Sequence, residues 1–380
     1  MPKKIIGMPE LQIVFKHLAE TVLTRGEKGQ AVLIVKEEKE GLPIITLPTL
    51  NSFDEDIQKT FSEGNVTNIK DTLKMQPREL VVVRLNTAAE GTDLLDIEAD
   101  GKLTTLDQAL EFISTKAERN AWISLTDMTA EEAEKIVLFI SDSNKFKRKR
   151  YKAVVYDNAA DNMHIVNFTT KKAKLKGVDE LVEGVTLIPM MLGAIAGQSL
   201  DSSIIAKTFD DVEYVIEPTD MDAAVDKGEL FLYNDDGAIR VGRGVNSLTT
   251  IEKDMTHDMK FILIVEVMDL IYSDIHSAWT QTYKGKFKNT LDNQMLFVSF
   301  VNNYLEILEN ESILNDSFDN AAEIDVTRQR LANIPLYGED EVSKWDDNKV
   351  LEMTVGTNVY LGARIKIVNA MEDLYATIIL

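Results

Sequence analysis

Between residues 79 and 157, apolar runs of strand length alternate with amphipathic segments of helical period, and this alternation limits the fold more than any other feature of the chain. Leu80, Val81, Val82 and Val83 form a run typical of a buried strand. Leu106, Leu110, Ile113 and Ala117 follow at helical spacing. Trp122-Ile123-Ser124-Leu125 and Ala153-Val154-Val155-Tyr156 supply two further strands, with a second helix between them. Thr105 with Gln108, and Thr129 with Glu132, fit the capping box, in which a hydroxyl and a carboxylate or amide satisfy orphan N–H groups at a helix start. The order strand, helix, strand, helix, strand predicts a layered α/β domain with a parallel or mixed sheet.

Around this segment the chain has room for more. Hydrophobic residues make up 44% and charged residues 27%, the balance of an ordinary globular chain. At roughly 150 residues per domain, 380 residues imply about two or three domains. The expected division is an arm at 1–20, a core strand and connector at 21–78, a middle α/β domain at 79–190, a C-terminal domain at 191–358, and a strand and arm at 359–380. Ala31 to Lys36 reads as a buried strand, while polar 51–78 reads as a connector with one short helix. Two short strands flank Asn234-Asp235-Asp236-Gly237 and predict a hairpin. Residues 256–283 and 291–309 predict two long helices, with apolar faces that include Val265, Met268 and Tyr272, and Val298, Leu305 and Leu308. Residues 310–348 read as polar and irregular. The class is mixed α+β and α/β.

Composition and motifs exclude several chemistries. Sixty-three acidic against 41 basic residues give a net charge of −22, a field that repels a phosphate backbone, so no nucleic-acid partner is expected. The absence of cysteine excludes disulfides, thiolate zinc sites and thiol nucleophiles. The most apolar stretches, 185–197 and 261–272, fall short of the ~20 residues of a membrane helix. The opening Met-Pro-Lys-Lys-Ile-Ile-Gly lacks a signal peptide's apolar core, so synthesis in the cytoplasm and no membrane insertion are expected. His17, His164, His257 and His276 form no HExxH pair, and neither a Gly-x-Ser-x-Gly elbow nor a Walker A loop occurs. Gly242-Arg243-Gly244-Val245-Asn246-Ser247 is either a truncated dinucleotide fingerprint or a turn. Gly193 and Gly197 carry the spacing of close helix packing. No catalytic residue, cofactor or metal site is expected. Lys145, Lys147, Arg148, Lys149, Arg150 and Lys152 form one dense basic cluster, either solvated cations at a helix end or a docking surface for an acidic second copy.

Both ends of the chain alternate like strands. Leu11, Ile13 and Phe15 do so near the start, and Val359, Leu361, Ile365, Ile367, Leu374, Ala376, Ile378 and Leu380 near the finish. An apolar strand without a partner exposes N–H and C=O groups and needs a sheet edge. Burying about five apolar side chains of the last ten residues would gain ~8–15 kcal/mol at most. Ordering them costs about 1–2 kcal/mol each, so the terms nearly cancel and ladder hydrogen bonds decide. Such ends either pair within their own subunit or order only on assembly with other copies.

A family resemblance bears on that choice. Arg25-Gly26-Glu27-Lys28-Gly29-Gln30-Ala31-Val32-Leu33-Ile34-Val35, Leu192-Gly193-Ala194-Ile195-Ala196-Gly197, Arg240-Val241-Gly242-Arg243-Gly244-Val245-Asn246-Ser247-Leu248-Thr249-Thr250 and Asn369-Ala370-Met371-Glu372-Asp373-Leu374-Tyr375-Ala376-Thr377 resemble contractile tail sheath proteins. The similarity is greatest to the compact sheaths of Gram-positive phages, prophages and phage-tail-like bacteriocins such as diffocins. The resemblance implies a non-enzymatic subunit, stacked as hexameric rings around an inner tail tube and contracting to drive it through a bacterial envelope. It also implies baseplate and tail-terminator partners, release of the particle by lysis, and arms that add strands to neighbouring C-terminal domains. The competing readings are a nucleotide-binding α/β enzyme and another self-assembling shell protein.

Overall fold

The computed structural model describes residues 29–87 and 102–378. Leu11, Ile13, Phe15 and Leu380 lie outside the described residues. The chain divides into two compact units, the first formed by Arg25–Leu270 with Ala370–Leu380, the second containing Ile271–Asn369.

The strands of the first unit are β1 (Gln30–Glu37), β2 (Ile44–Leu47), β3 (Glu79–Asn86), β4 (Trp122–Leu125), β5 (Lys152–Tyr156), β6 (Ile165–Phe168), β7 (Lys172–Leu175), β8 (Leu181–Glu183), β9 (Val212–Val215), β10 (Glu229–Leu230), β11 (Leu232–Asp235) and β12 (Ala238–Val241). Seven of them make one sheet in the order β10-β6-β5-β4-β1-β3-β2, parallel throughout except for β2. Ala31, Val32, Leu33, Ile34 and Val35 of β1 are all fully buried, as a strand covered on both faces must be. The covering helices are α1 (Glu63–Lys74), α2 (Leu106–Lys116), α3 (Ala130–Phe146) and α4 (Ile188–Ala196). The connection through α1 runs outward from β1 to β3, and that through α2 runs back across β1 to β4. Right-handed crossovers therefore place α1 and α2 on opposite faces. Packing agrees, since α1 meets α4 and α2 meets α3. Both expected capping boxes form, at Thr105 with Gln108 and at Thr129 with Glu132.

Every residue of α4 is buried, and Pro189 sits in its first turn, where a missing N–H removes no helical bond. A Cβ on Gly193 would lie 2.2 Å from the carbonyl oxygen of Thr72, and one on Gly197 would lie 2.4 Å from that of Met75. The GxxxG spacing thus serves close backbone contact with α1 and the turn after it. Asp236 and Gly237, with φ of 49° and 94°, turn the β11–β12 hairpin as an Asp-Gly pair should.

Two expectations are corrected here. Residues 51–78 are more than a connector, because α1 runs for 12 residues and buries Asn65, Ile69, Thr72 and Leu73. A middle domain confined to 79–190 is also not what forms. β1 lies between β3 and β4, and β10 closes the far edge, so segments before 79 and after 190 share one sheet. Parallel strands need long crossovers, which scatter one sheet over a wide span of sequence.

In the second unit, helix α5 (Ile262–Ala278), which begins in the first, ends in a π turn at Trp279–Tyr283. Then come α6 (Leu291–Asn310), β13 (Ala321–Ile324), α7 (Val326–Tyr337), short helices at Glu339–Val342 and Asp347–Glu352, and β14 (Leu361–Arg364). The two long helices are those expected. The stretch 310–348, expected to be irregular, instead carries β13, α7 and a further short helix.

Candidate assembly surface

β13 and β14 form a two-stranded antiparallel sheet, with Ala321 opposite Arg364 and Ile324 opposite Leu361. One of its outer edges is closed. The Asn302 carboxamide on α6 donates to the Ala322 carbonyl at 3.0 Å and accepts from the Ala322 N–H at 2.7 Å, occupying the groups a further strand would use. Antiparallel pairs alternate, so an outward-facing Ala322 makes Ala321–Arg364 and Glu323–Gly362 the hydrogen-bonded pairs. The Asp325 N–H donating to the Tyr360 carbonyl at 2.9 Å keeps the same parity. Leu361, Ala363 and Ile365 then turn their main-chain groups to the other edge, where no described residue pairs with them. That edge of β14 is open.

Beyond β14 the chain is tied down for a few more residues and then leaves the surface. Ile367 bridges Leu314, and the Val368 N–H donates to the Ile313 carbonyl at 2.9 Å. Leu361 and Ile367 thus find partners in their own subunit, while Val359 lines a groove of about 490 Å³ with Trp279, Tyr283 and Phe297. Within 359–380, then, β13 and Leu314 pair with one part of the segment, while residues from 374 onward find no main-chain partner among the described residues. Side chains at Leu374, Tyr375 and Ile378 are 90%, 94% and 85% exposed, Ala376 is exposed too, and no described residue pairs with the main chain there. A run of apolar side chains so exposed is unusual on a protein surface.

The root of this segment is held by Arg243. Its Nη1 and Nη2 donate to the two carboxylate oxygens of Asp373 at 2.8 Å each, and its Nε lies 3.0 Å from Glu372. The hydrogen bonds from Arg243 hold the Asp373 carboxyl below its ordinary range, and Asp373 in turn raises the guanidinium. Sequence reasoning singled out the loop around Arg243 but not this role. A phosphate cradle is disfavoured there, because several of the loop's N–H groups are committed elsewhere. Gly242 donates to Phe231, Asn246 to Lys260 and Ser247 to Ile165.

The basic cluster separates into three parts. Lys152 is fully buried in the first unit, with Nζ 3.0 Å from Glu266 and 3.5 Å from Asp269 and 5.4 Å from the centre of the Trp122 ring. Trp122 Nε1 donates to Glu266 at 2.6 Å, while His164 and Arg150 lie 3.2 and 3.7 Å from Asp269. Burial works against the charged Lys152, but Glu266 and Asp269 outweigh it and raise its pKa. Burial likewise raises Asp269, and there Lys152, His164 and Arg150 prevail, leaving its carboxyl below the usual range. Lys152 and Arg150 are therefore corrected to an internal ionic cluster, set by β5 turning Lys152 toward the two carboxylates on α5. Lys147 pairs with Glu111 at 2.9 Å, and Lys149 donates to the Ser114 carbonyl at 3.1 Å. Lys145 and Arg148 are exposed.

Among the described residues, no His, Asp and Glu group is placed to hold a metal ion, and no helix is long and apolar enough to cross a membrane. The described residues thus combine an open edge of β14 with an exposed apolar segment at 374–378. Residues 254–380 match the family model of the phage tail sheath C-terminal domain. Over 375 residues the chain is 28% identical to the tail sheath protein of Clostridium phage phiCD119, covering 97% of this chain and 98% of that one. In fold it is similar to the sheath tail protein of Listeria innocua, with a TM-score of 0.66, 13% identity, and 94% and 99% of the two chains covered. It is also similar to the helical sheath of the anti-feeding prophage in its contracted state, with a TM-score of 0.61, 10% identity, and 93% of each chain covered. These relationships support a structural tail sheath subunit.

Proposed function

We propose that copies of this chain polymerise as hexameric rings in a helical stack around an inner tail tube, and that the stack contracts to drive the tube through a bacterial envelope. The subunit works without catalysis. Its further partners are a baseplate and a tail terminator, and the particle is a phage tail or tail-like body made in the bacterial cytoplasm and released by lysis. The observation that carries this reading is the complementarity of the exposed 374–378 segment and the open edge of β14. Adding the segment of one copy to the β14 edge of another would pair main-chain groups and turn Leu374, Ala376 and Ile378 to one face of the sheet and Tyr375 to the other. A contact from one patch to a different patch does not close on itself, and such contacts build helices. Leu11, Ile13 and Phe15 are a second arm on the strength of their alternation. A ladder kept in both the extended and contracted states adds little to their energy difference, so contacts between subunit bodies drive contraction.

Ala363→Pro tests this directly. Proline removes the N–H of Ala363 on the open edge, while the hydrogen-bonded pairs with β13 involve Gly362 and Arg364. The variant should fold with an unchanged melting midpoint and fail to form tubes in negative-stain microscopy. Wild-type tubes from this variant would exclude β14 as the acceptor.

A further inference from the structure

The most fully determined feature of the exposed segment is the point where it begins. Arg243 sits in a loop that has little freedom to move. A Cβ on Gly242 would lie 2.6 Å from the Phe231 ring, and one on Gly244 would lie 2.9 Å from Ser203 Oγ. The Ile262 N–H donates to the Gly244 carbonyl at 2.9 Å, and the Arg243 guanidinium stands 5.6 Å from the centre of the Phe261 ring. From this fixed loop the guanidinium grips two consecutive carboxylates, Asp373 with both Nη atoms and Glu372 with Nε. The Glu372 side chain is only 5% exposed, whereas the next residue but one, Leu374, is 90% exposed. Surface ion pairs contribute little as a rule, but here a bidentate fork on half-exposed Asp373 is joined by a single ion pair to the buried Glu372 carboxylate, which separates it from an isolated surface pair. The chain changes from held to released within two residues.

We propose that Arg243 is a latch that fixes the root of the C-terminal segment to its own subunit and thereby aims residues 374–378 at a second copy of the chain. The inference rests on the strand-addition reading and gives it a positioning residue. A segment anchored at 372–373 presents its strand near one place, so docking orders only the residues beyond the anchor. A segment without that anchor at 372–373 spreads over a larger volume and loses effective concentration at the acceptor edge. The latch keeps the arm directed before assembly and carries tension across the joint after it.

The test compares wild-type protein with Arg243→Ala, Arg243→Lys, and the exchange Arg243→Glu with Glu372→Arg and Asp373→Arg, measuring the critical concentration for tube formation by sedimentation. Arg243→Ala should raise it by roughly tenfold or more, the scale of losing charge-assisted bidentate bonds. Arg243→Lys should fall between, because an ammonium cannot make the fork. The exchanged variant should recover at least part of the loss, which a merely structural role for Arg243 would not produce. Melting midpoints report whether each variant is folded. A folded Arg243→Ala that assembles like wild type would overturn the latch. If Ala363→Pro still blocks assembly in that case, the strand-addition reading stands without it, and if neither variant affects assembly both fall.

Discussion

Glu37 ends β1 at the point where α1 will begin 26 residues later. Its carboxylate accepts from the Ser62 N–H at 2.7 Å, the Ser62 hydroxyl at 3.0 Å, the Asn65 carboxamide at 3.0 Å and the Lys39 N–H at 3.1 Å. Burial acts to raise its pKa, but these donors outweigh it and bring the carboxyl down to about 2. A folded-state pKa below the unfolded one means stability that is present above the unfolded value and lost as pH falls through the folded one. Glu37 should therefore contribute on the order of 3 kcal/mol at neutral pH, fading between about pH 5 and pH 2. Urea midpoints followed over that range should fall less steeply for Glu37→Gln than for wild type, and parallel curves would remove Glu37 from the account. The same bonds explain why the start of α1 escapes a reading of the sequence. Ser62 caps without a side-chain bond, and its donors are met by a residue far away in the chain.

At the scale of elements, α1 and α4 pack backbone to backbone, and two glycines test that contact with opposite signs. Gly193→Ala drives a Cβ to within 2.2 Å of the Thr72 carbonyl, so the helices must part, at about 1–3 kcal/mol or more. Gly64→Ala, in the exposed first turn of α1 with nothing within 4 Å, should stabilise by roughly 0.5–1 kcal/mol through helix propensity alone. Calorimetric midpoints should move down for the first and up for the second. Elements with local signals were legible from the sequence. β4 spans Trp122–Leu125 as expected, and α2 and α3 start at their capping boxes. Elements whose partners are remote were not. In α7 the buried side chains are Gln329 and Asn333, amides that donate to carbonyls of Val350 and Met353, so no apolar stripe marks it. The two halves of the C-terminal stretch are alike in composition, and what separates them is β13, Leu314 and Arg243, none of them nearby in sequence.

For the whole molecule, charge sets the conditions of assembly. Each copy carries −22, so stacking copies into the proposed tube would bring like charges together, and the proposed strand joints would have to hold against that repulsion. Raising ionic strength from about 0.01 M to 0.15 M shortens the Debye length from ~30 to ~8 Å and screens bodies from one another. Critical concentration should then fall over this range, provided the short-range contacts of the Arg243 latch, with Glu372 buried, are screened less than the bodies. Lys145 and Arg148, two exposed members of the basic cluster outside the Lys147–Glu111 pair, are the natural complement to acidic patches on a second copy. Reversing both to Glu replaces two positive charges by two negative ones, a shift of four in net charge per subunit. Tube formation by the double variant should require more salt than wild type, and its slope against ionic strength should be steeper. Equal salt curves would assign Lys145 and Arg148 to solvent alone. They would leave the joints between copies to the main-chain edge of β14 and the apolar strand that seeks it.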